Sequence, residues 1–192
     1  MRWFRKSSSE SLAVSMAGVK LGDRLLVVGC GDPILLAQIA VKTGLTGHAL
    51  AVDEREAVVT AAAEIATREG ALVETATAQW TSLPVDNDSF DVAVVRDVLR
   101  HLPAHRRAAC ISEVGRALRP GGRCLVIDGS ARKGLSGLVR SGPRVGDYDD
   151  HGGPVQIFTA QGFKAARILA ERDGLLFAEA VKPAANWSIS HR

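Results

Sequence analysis

Short apolar runs that alternate with amphipathic helical stretches constrain this chain more than any other feature. RLLVVG (24–29), HALAVD (48–53), ALVETAT (71–77), DVAVVRD (91–97) and RCLVID (123–128) read as strands. Helix-patterned segments separate them. One opens at Asp32 and Pro33, which suit the N-cap and first-turn positions, and runs to about Lys42. EREAVVTAAAEIATREG (54–70) ends at Gly70, and AHRRAACISEVGRAL follows Pro103 and closes on an expected turn, RPGG (119–122). Ser7 and Glu10 have capping-box spacing and open an earlier helix with Gly18 as its stop. Strands and helices alternating at this spacing imply an α/β fold, a parallel sheet with helices on both faces. The tail departs from the pattern. Residues 129–154 are rich in Gly, Ser, Arg and Asp and have room for one short helix; FKAARILAERDGLLFAEAVKP (163–183) then carries two strand-like runs around Asp-Gly, a hairpin signal. The sheet should therefore end in an antiparallel pair.

A chain of 192 residues with no internal repeat and no linker reads as one domain. A net charge of +3, with acids and bases mixed along the chain, argues against nucleic acid as the main partner. The three cysteines, Cys30, Cys110 and Cys124, make neither a zinc spacing nor a disulfide framework, which fits a reducing cytoplasm. His101 and His105 are four apart, but Pro103 sits between them and no third ligand is evident, so no metal is expected. No apolar run approaches a membrane span, and the start, MRWFRKSSSE, lacks the apolar region of a secretory signal. Trp3 and Phe4 among Arg2, Arg5 and Lys6 read as a frayed terminus or a lid over a pocket before a membrane contact, because one short basic-aromatic patch binds membranes weakly.

The candidate site follows from the first strand. Ligands of open α/β sheets sit beyond the carboxyl ends of the strands, where strand order reverses. Gly29-Cys30-Gly31 lies there, with glycines that permit a tight turn and a close backbone approach. Asp53 ends the second strand, 22 residues after Gly31, where a carboxylate can accept hydrogen bonds from both hydroxyls of a ribose. The bland alternative for Asp53 is an N-cap of the helix that follows. A glycine loop, a helix and a distal acid together point to an adenosine-type cofactor. A dinucleotide loop requires Gly or Ala where this chain has Ile34, and the lysine of a phosphate-binding loop is absent.

RLLVVGCGDPILLAQIA, ALAVDERE, LPVDNDSFDVAVVRDVLRHLP and EVGRALRPGGRCLVID resemble, in order and spacing, the motifs of class I S-adenosylmethionine-dependent methyltransferases, in particular the small-molecule group that includes the ubiquinone/menaquinone C-methyltransferases. The resemblance covers roughly residues 20–128. It implies a Rossmann-like, doubly wound, seven-stranded sheet, mostly parallel, with an antiparallel C-terminal hairpin strand. It divides the chain into an N-terminal cap helix (1–18), a cofactor-binding core (20–128), a short substrate-side insertion (129–162) and the hairpin (163–183). It also implies S-adenosylmethionine as cofactor and a small molecule as methyl acceptor, with a homodimer or protein partner as one way to complete a pocket with so short an insertion. Gly29, Cys30 and Gly31 would flank the methionine part, Asp53 would hold the ribose with Glu54 beside it, and Gln79 and Trp80 would wall the adenine. Arg96 would line the methionine end through its backbone, and His101 would face the reaction centre, either as a general base or as a surface histidine.

Three positions depart from the family pattern. Val27 stands where the first strand carries an acid, Pro33 replaces the third glycine and removes an N–H, and Gln79 replaces an acid while keeping an acceptor oxygen. Losing a charged and a neutral hydrogen bond weakens binding roughly ten- to a thousandfold. Val27 and Pro33 thus support an alternative reading, a catalytically silent methyltransferase-like scaffold. Cys30 reads as a reactive thiol or simply a small residue that fits. DYDDHGG (147–153) reads as an acidic substrate lip with Tyr148 and His151 as donors, or as a solvated loop.

Overall fold

The computed structural model describes residues 8–129, 148 and 153–184. The expected Trp3–Phe4 cap, the side chains of the Ser7–Glu10 capping box and His151 lie outside them. In chain order the elements are α1 (Ser8–Ala17), β1 (Arg24–Val28), α2 (Pro33–Ala40), β2 (His48–Asp53), α3 (Glu56–Arg68), β3 (Glu74–Thr77), β4 (Phe90–Arg96), α4 (Ala104–Ala117), β5 (Leu118–Gly129), α5 (Gly153–Ala160), β6 (Lys164–Arg172) and β7 (Leu175–Val181). The seven strands form one sheet in the order β3-β2-β1-β4-β5-β7-β6. β1 to β5 pair in parallel, and β7 runs antiparallel to both β5 and β6. The order reverses between β1 and β4, which sets the crevice beyond their carboxyl ends.

Alternation along the buried strands divides the core by face. Leu25 and Val27 of β1, Val92 and Val94 of β4, and Leu125 and Ile127 of β5 face a cluster with Ala13 and Ala17 of α1, Leu36 and Ile39 of α2 and Ala62 of α3. Leu26, Val28, Ala93, Val95 and Val126 face the other cluster, with Ile111 and Val114 of α4, Phe158 of α5, and Trp80. Val27 therefore sits in an apolar layer at 3% exposure, and the acid of the family pattern is replaced by packing.

Asp32 caps α2 by accepting from Leu35 N at 3.1 Å, with Pro33 at the first position, as the residues predict. The helix yields to a 3-10 turn at Val41–Thr43. Asp91 fixes the amino end of the sheet: its carboxylate accepts from Arg24 N at 2.7 Å and from Arg119. The hairpin turns at Asp173-Gly174, both with positive φ (52° and 75°), the backbone that two-residue hairpin loops require.

Other expectations change. RPGG is not a turn closing α4: residues 118–129 form one strand that shifts register between Phe90 and Val92, and Gly121 and Gly122 exchange backbone bonds of 2.9 Å with Lys182. β3 keeps only residues 74–77 of the expected run, and α3 starts at Glu56. α5, within the expected insertion, had no clear periodicity to announce it. Among the described residues no helix is long and apolar enough to cross a membrane.

Candidate functional site

The loops after β1, β2, β3 and β4 meet at the carboxyl edge. Gly29 has φ +92°, and a Cβ there would lie 2.3 Å from the Arg96 carbonyl oxygen and 2.7 Å from Val98 Cγ2. The glycine serves the packing of the β1 turn against the end of β4, and the Arg96 backbone lies against that turn. Gly31 differs: it is exposed, and the nearest atom to a Cβ there is Arg55 Nη2 at 3.9 Å. Between them Cys30 is buried, and its backbone N–H donates to Asp53 Oδ2 at 2.9 Å. Burial, with the Asp53 charge beside it, pushes the Cys30 thiol up to about 12, so it is a packing residue and not a reactive thiolate.

Asp53 is wholly buried at the end of β2. Oδ1 accepts from Arg55 N at 3.1 Å and Arg55 Nε at 2.9 Å, while Oδ2 accepts from Cys30 N and from Arg55 Nη2 at 3.2 Å. Burial works to raise its pKa, but these hydrogen bonds outweigh it and hold the carboxyl below the usual carboxylate range. The helix-cap alternative does not hold, because Arg55 occupies the N-cap position of α3, without a side-chain cap bond.

Next to it, Glu54 Oε1 accepts from Trp80 N at 3.2 Å and from Arg106 Nη2 of α4 at 2.6 Å. Trp80 is 8% exposed, and its indole Nε1 is buried with no partner among the described residues. Gln79 beside it is exposed. α4 holds the loop that follows: Glu113 accepts from Leu83 N at 3.1 Å, and Arg116 donates to the carbonyls of Leu83 (3.1 Å) and Val85 (2.7 Å).

Arg96 directs its guanidinium to Asp97 Oδ2 at 2.6 Å, the Ile127 carbonyl at 3.4 Å and Asp32 Oδ2 at 3.7 Å. The structure thus joins Gly29, Cys30, Asp53 and Arg96 around one turn, and Glu54 with Trp80 in the adjacent loop. His101, exposed at the end of a 3-10 turn, shares no side-chain bond with this group among the described contacts.

Sequence reasoning missed two kinds of residue. Arg55 and Arg106 drew no reading from the sequence, yet each closes on an acid of the site. The available signal was spacing: an arginine two residues after an acid at a strand end is within reach of it. Asp128, at the carboxyl end of β5, is also wholly buried. Its Oδ2 accepts the Tyr148 hydroxyl at 2.8 Å, Oδ1 has no partner among the described residues, and burial pushes its carboxyl up to about 6. Of the expected lip, residues 147–153, only Tyr148 and Gly153 are among the described residues, and Tyr148 is buried, not solvated. It is 1% exposed, with the guanidiniums of Arg100 and Arg107 5.3 and 4.9 Å from its ring centre. A 360 Å³ pocket opens beside it between Ala104, Arg107 and Ala108 of α4 and Ile157 and Ala160 of α5.

Comparisons with known proteins agree with this geometry. A family model described as a methyltransferase domain matches residues 25–122. The ubiquinone/menaquinone biosynthesis C-methyltransferase of Chromobacterium violaceum is 29% identical over 115 residues, 60% of this chain and 46% of that protein. The 2-phytyl-1,4-naphtoquinone methyltransferase of Synechococcus elongatus is 28% identical over 122 residues, 61% of this chain and 50% of its own length. The matched stretch thus spans about half the length of these curated relatives. A SAM-dependent methyltransferase from Aquifex aeolicus superposes with a TM-score of 0.73 at 18% identity, over 90% of this chain and 89% of that one. The [4+2]-cyclase SpnF gives 0.70 at 19%, over 92% and 81%. At these identities the structural likeness shows the fold alone.

Proposed function

The chain belongs to the methyltransferase domain family, and we propose that it is an S-adenosylmethionine-dependent methyltransferase acting on a small-molecule acceptor. The observation that carries this reading is the buried Asp53 carboxylate held by the N–H of Cys30, in the glycine loop at the switch between β1 and β4. The residues fit the cofactor. Gly31 leaves an open face, the Cys30 N–H orients the acid that would take the ribose hydroxyls, and the buried Trp80 indole offers an unused donor beside the adenine position. Glu54 fixes the Trp80 backbone; the Gln79 amide oxygen would accept from the adenine amino group, and the Arg96 backbone would bound the methionine end.

S-adenosylmethionine supplies a methyl group on a sulfonium, already a strong leaving group. The protein's part is to align the acceptor in line with that methyl, exclude water and take up a proton where the acceptor must lose one. His101, exposed on the loop after β4, is our candidate for the proton. Quinol-type rings are the first acceptors to try, because one relative is named for quinone biosynthesis and another for a naphthoquinone. Three buried free thiols support a reducing compartment such as the cytoplasm.

Calorimetric titration with S-adenosylmethionine and S-adenosylhomocysteine tests the reading. Micromolar binding is expected, weakened roughly ten- to a hundredfold by Asp53→Ala, the loss of hydrogen bonds to a charged group. A folded protein, verified by circular dichroism, that binds neither compound at millimolar concentration would sink it.

A further inference from the structure

The carboxylate proposed for the ribose is already full. An ionised carboxylate offers about four lone-pair sites, and Asp53 receives four bonds: from Cys30 N, Arg55 N, Arg55 Nε and Arg55 Nη2. The first two are backbone bonds and part of the fold. The other two come from one side chain that is 60% exposed and whose guanidinium bonds only Asp53 among the described residues. It also lies over the open face of Gly31. A ribose cannot use both oxygens of Asp53 while the Arg55 fork is in place, and nothing else in the described contacts holds the fork there.

We propose that Arg55 is a latch on the nucleoside site. The two ribose hydroxyls replace Nε and Nη2 one for one on the Asp53 oxygens, and the guanidinium swings out to solvent. This deepens the cofactor reading above and rests on it. The two residues then affect affinity with opposite signs: Asp53 supplies the acceptor and Arg55 competes for it. An exchange of this kind spares the buried acid from standing without partners when no cofactor is bound, since a buried carboxylate stripped of its hydrogen bonds is strongly disfavoured.

Arg55→Ser tests the latch cleanly. Arg55 is the N-cap of α3 and provides no side-chain cap, whereas serine is a favoured N-cap, so the variant keeps or gains helix stability. Titration with S-adenosylhomocysteine should show Arg55→Ser binding roughly three- to thirtyfold more tightly than the unaltered protein, the range between an exposed ion pair and a charged hydrogen bond. Arg55→Lys, a point charge without the fork, should fall between them. Equal or weaker binding by Arg55→Ser, with the unaltered protein still binding, would overturn the latch and leave the cofactor reading intact. Binding by neither protein would overturn the cofactor reading and the latch with it.

Discussion

At the scale of single residues, Gly29 and Gly31 look interchangeable in the sequence and are opposite in the structure. Alanine at 29 would need φ near +92° and would drive its Cβ to 2.3 Å from the Arg96 carbonyl oxygen. The left-handed backbone alone costs about 1–2 kcal/mol, and the clash adds to it. Gly29→Ala should lose at least about 2 kcal/mol in urea denaturation, whereas Gly31→Ala, whose Cβ meets only the Arg55 guanidinium at an ordinary contact distance of 3.9 Å, should stay within about 0.5 kcal/mol. Equal losses would show that the loop tolerates both or neither. Glu54 and Trp80 entered only through the family resemblance, whereas the glycines and Asp53 were legible because strand ends and loop chemistry fix their neighbourhood along the chain. Arg55 and Arg106 were not, because whether a helix-borne guanidinium points to water or folds back onto an acid depends on which acids the tertiary fold brings within reach. Tyr148 and Asp128, twenty residues apart, meet only through the fold in the same way.

At the scale of elements, β5 is the piece on which sequence and structure differ most, and it holds the amino-terminal helix in place. Arg123 donates to Met16 O at 3.1 Å and to Ala17 O, the last carbonyls of α1, and pairs with Glu179 of β7 at 2.9 Å. Gly18 leaves room for it: a Cβ there would come within 2.5 Å of the guanidinium. One side chain thus satisfies orphan carbonyls at a helix end and ties α1 to the central sheet. Arg123→Ala should cost about 1.5–3 kcal/mol, the worth of a hydrogen bond to a charged group, and should raise amide exchange in α1 more than in α4. Unchanged protection in α1 would mean that Ala13 and Ala17 alone hold the helix. The alternating elements were readable from period and punctuation. RPGG misled because glycine and proline signal a turn by local preference, while the backbone bonds that hold Gly121 and Gly122 in β5 come from Lys182, just past β7 and some sixty residues away. β7 announced itself through the Asp-Gly hairpin, but its insertion between β5 and β6 is a matter of sheet order, which the residues carried only through family resemblance.

At the scale of the whole molecule, the carboxylates set how stability responds to pH. Asp53, Asp91, Glu113 and Glu179 all sit below their ordinary range; burial pushes each upward, and hydrogen bonds from arginines and backbone N–H groups prevail. A depressed folded pKa gives stability that is present above the unfolded value, near about 4, and is lost as pH falls through the folded value. These four therefore resist acid only down to that point. Asp128 acts with the opposite sign. Its carboxyl is pushed up to about 6 by burial, so its contribution is full below about 4 and is lost as pH rises through 6, about 3 kcal/mol in all. The sum is a stability maximum in mildly acid solution, with a decline toward neutrality that Asp128 supplies. Asp128→Asn removes the charge and keeps an acceptor for the Tyr148 hydroxyl. It should stabilise the protein by about 1–3 kcal/mol near pH 8 and by almost nothing near pH 4, measured by urea denaturation at the two values. An effect of the same size at both would show that Asp128 does not titrate between them. The expected difference would show that the carboxyl edge of this sheet retains a buried charge at a cost in stability, as functional sites commonly do.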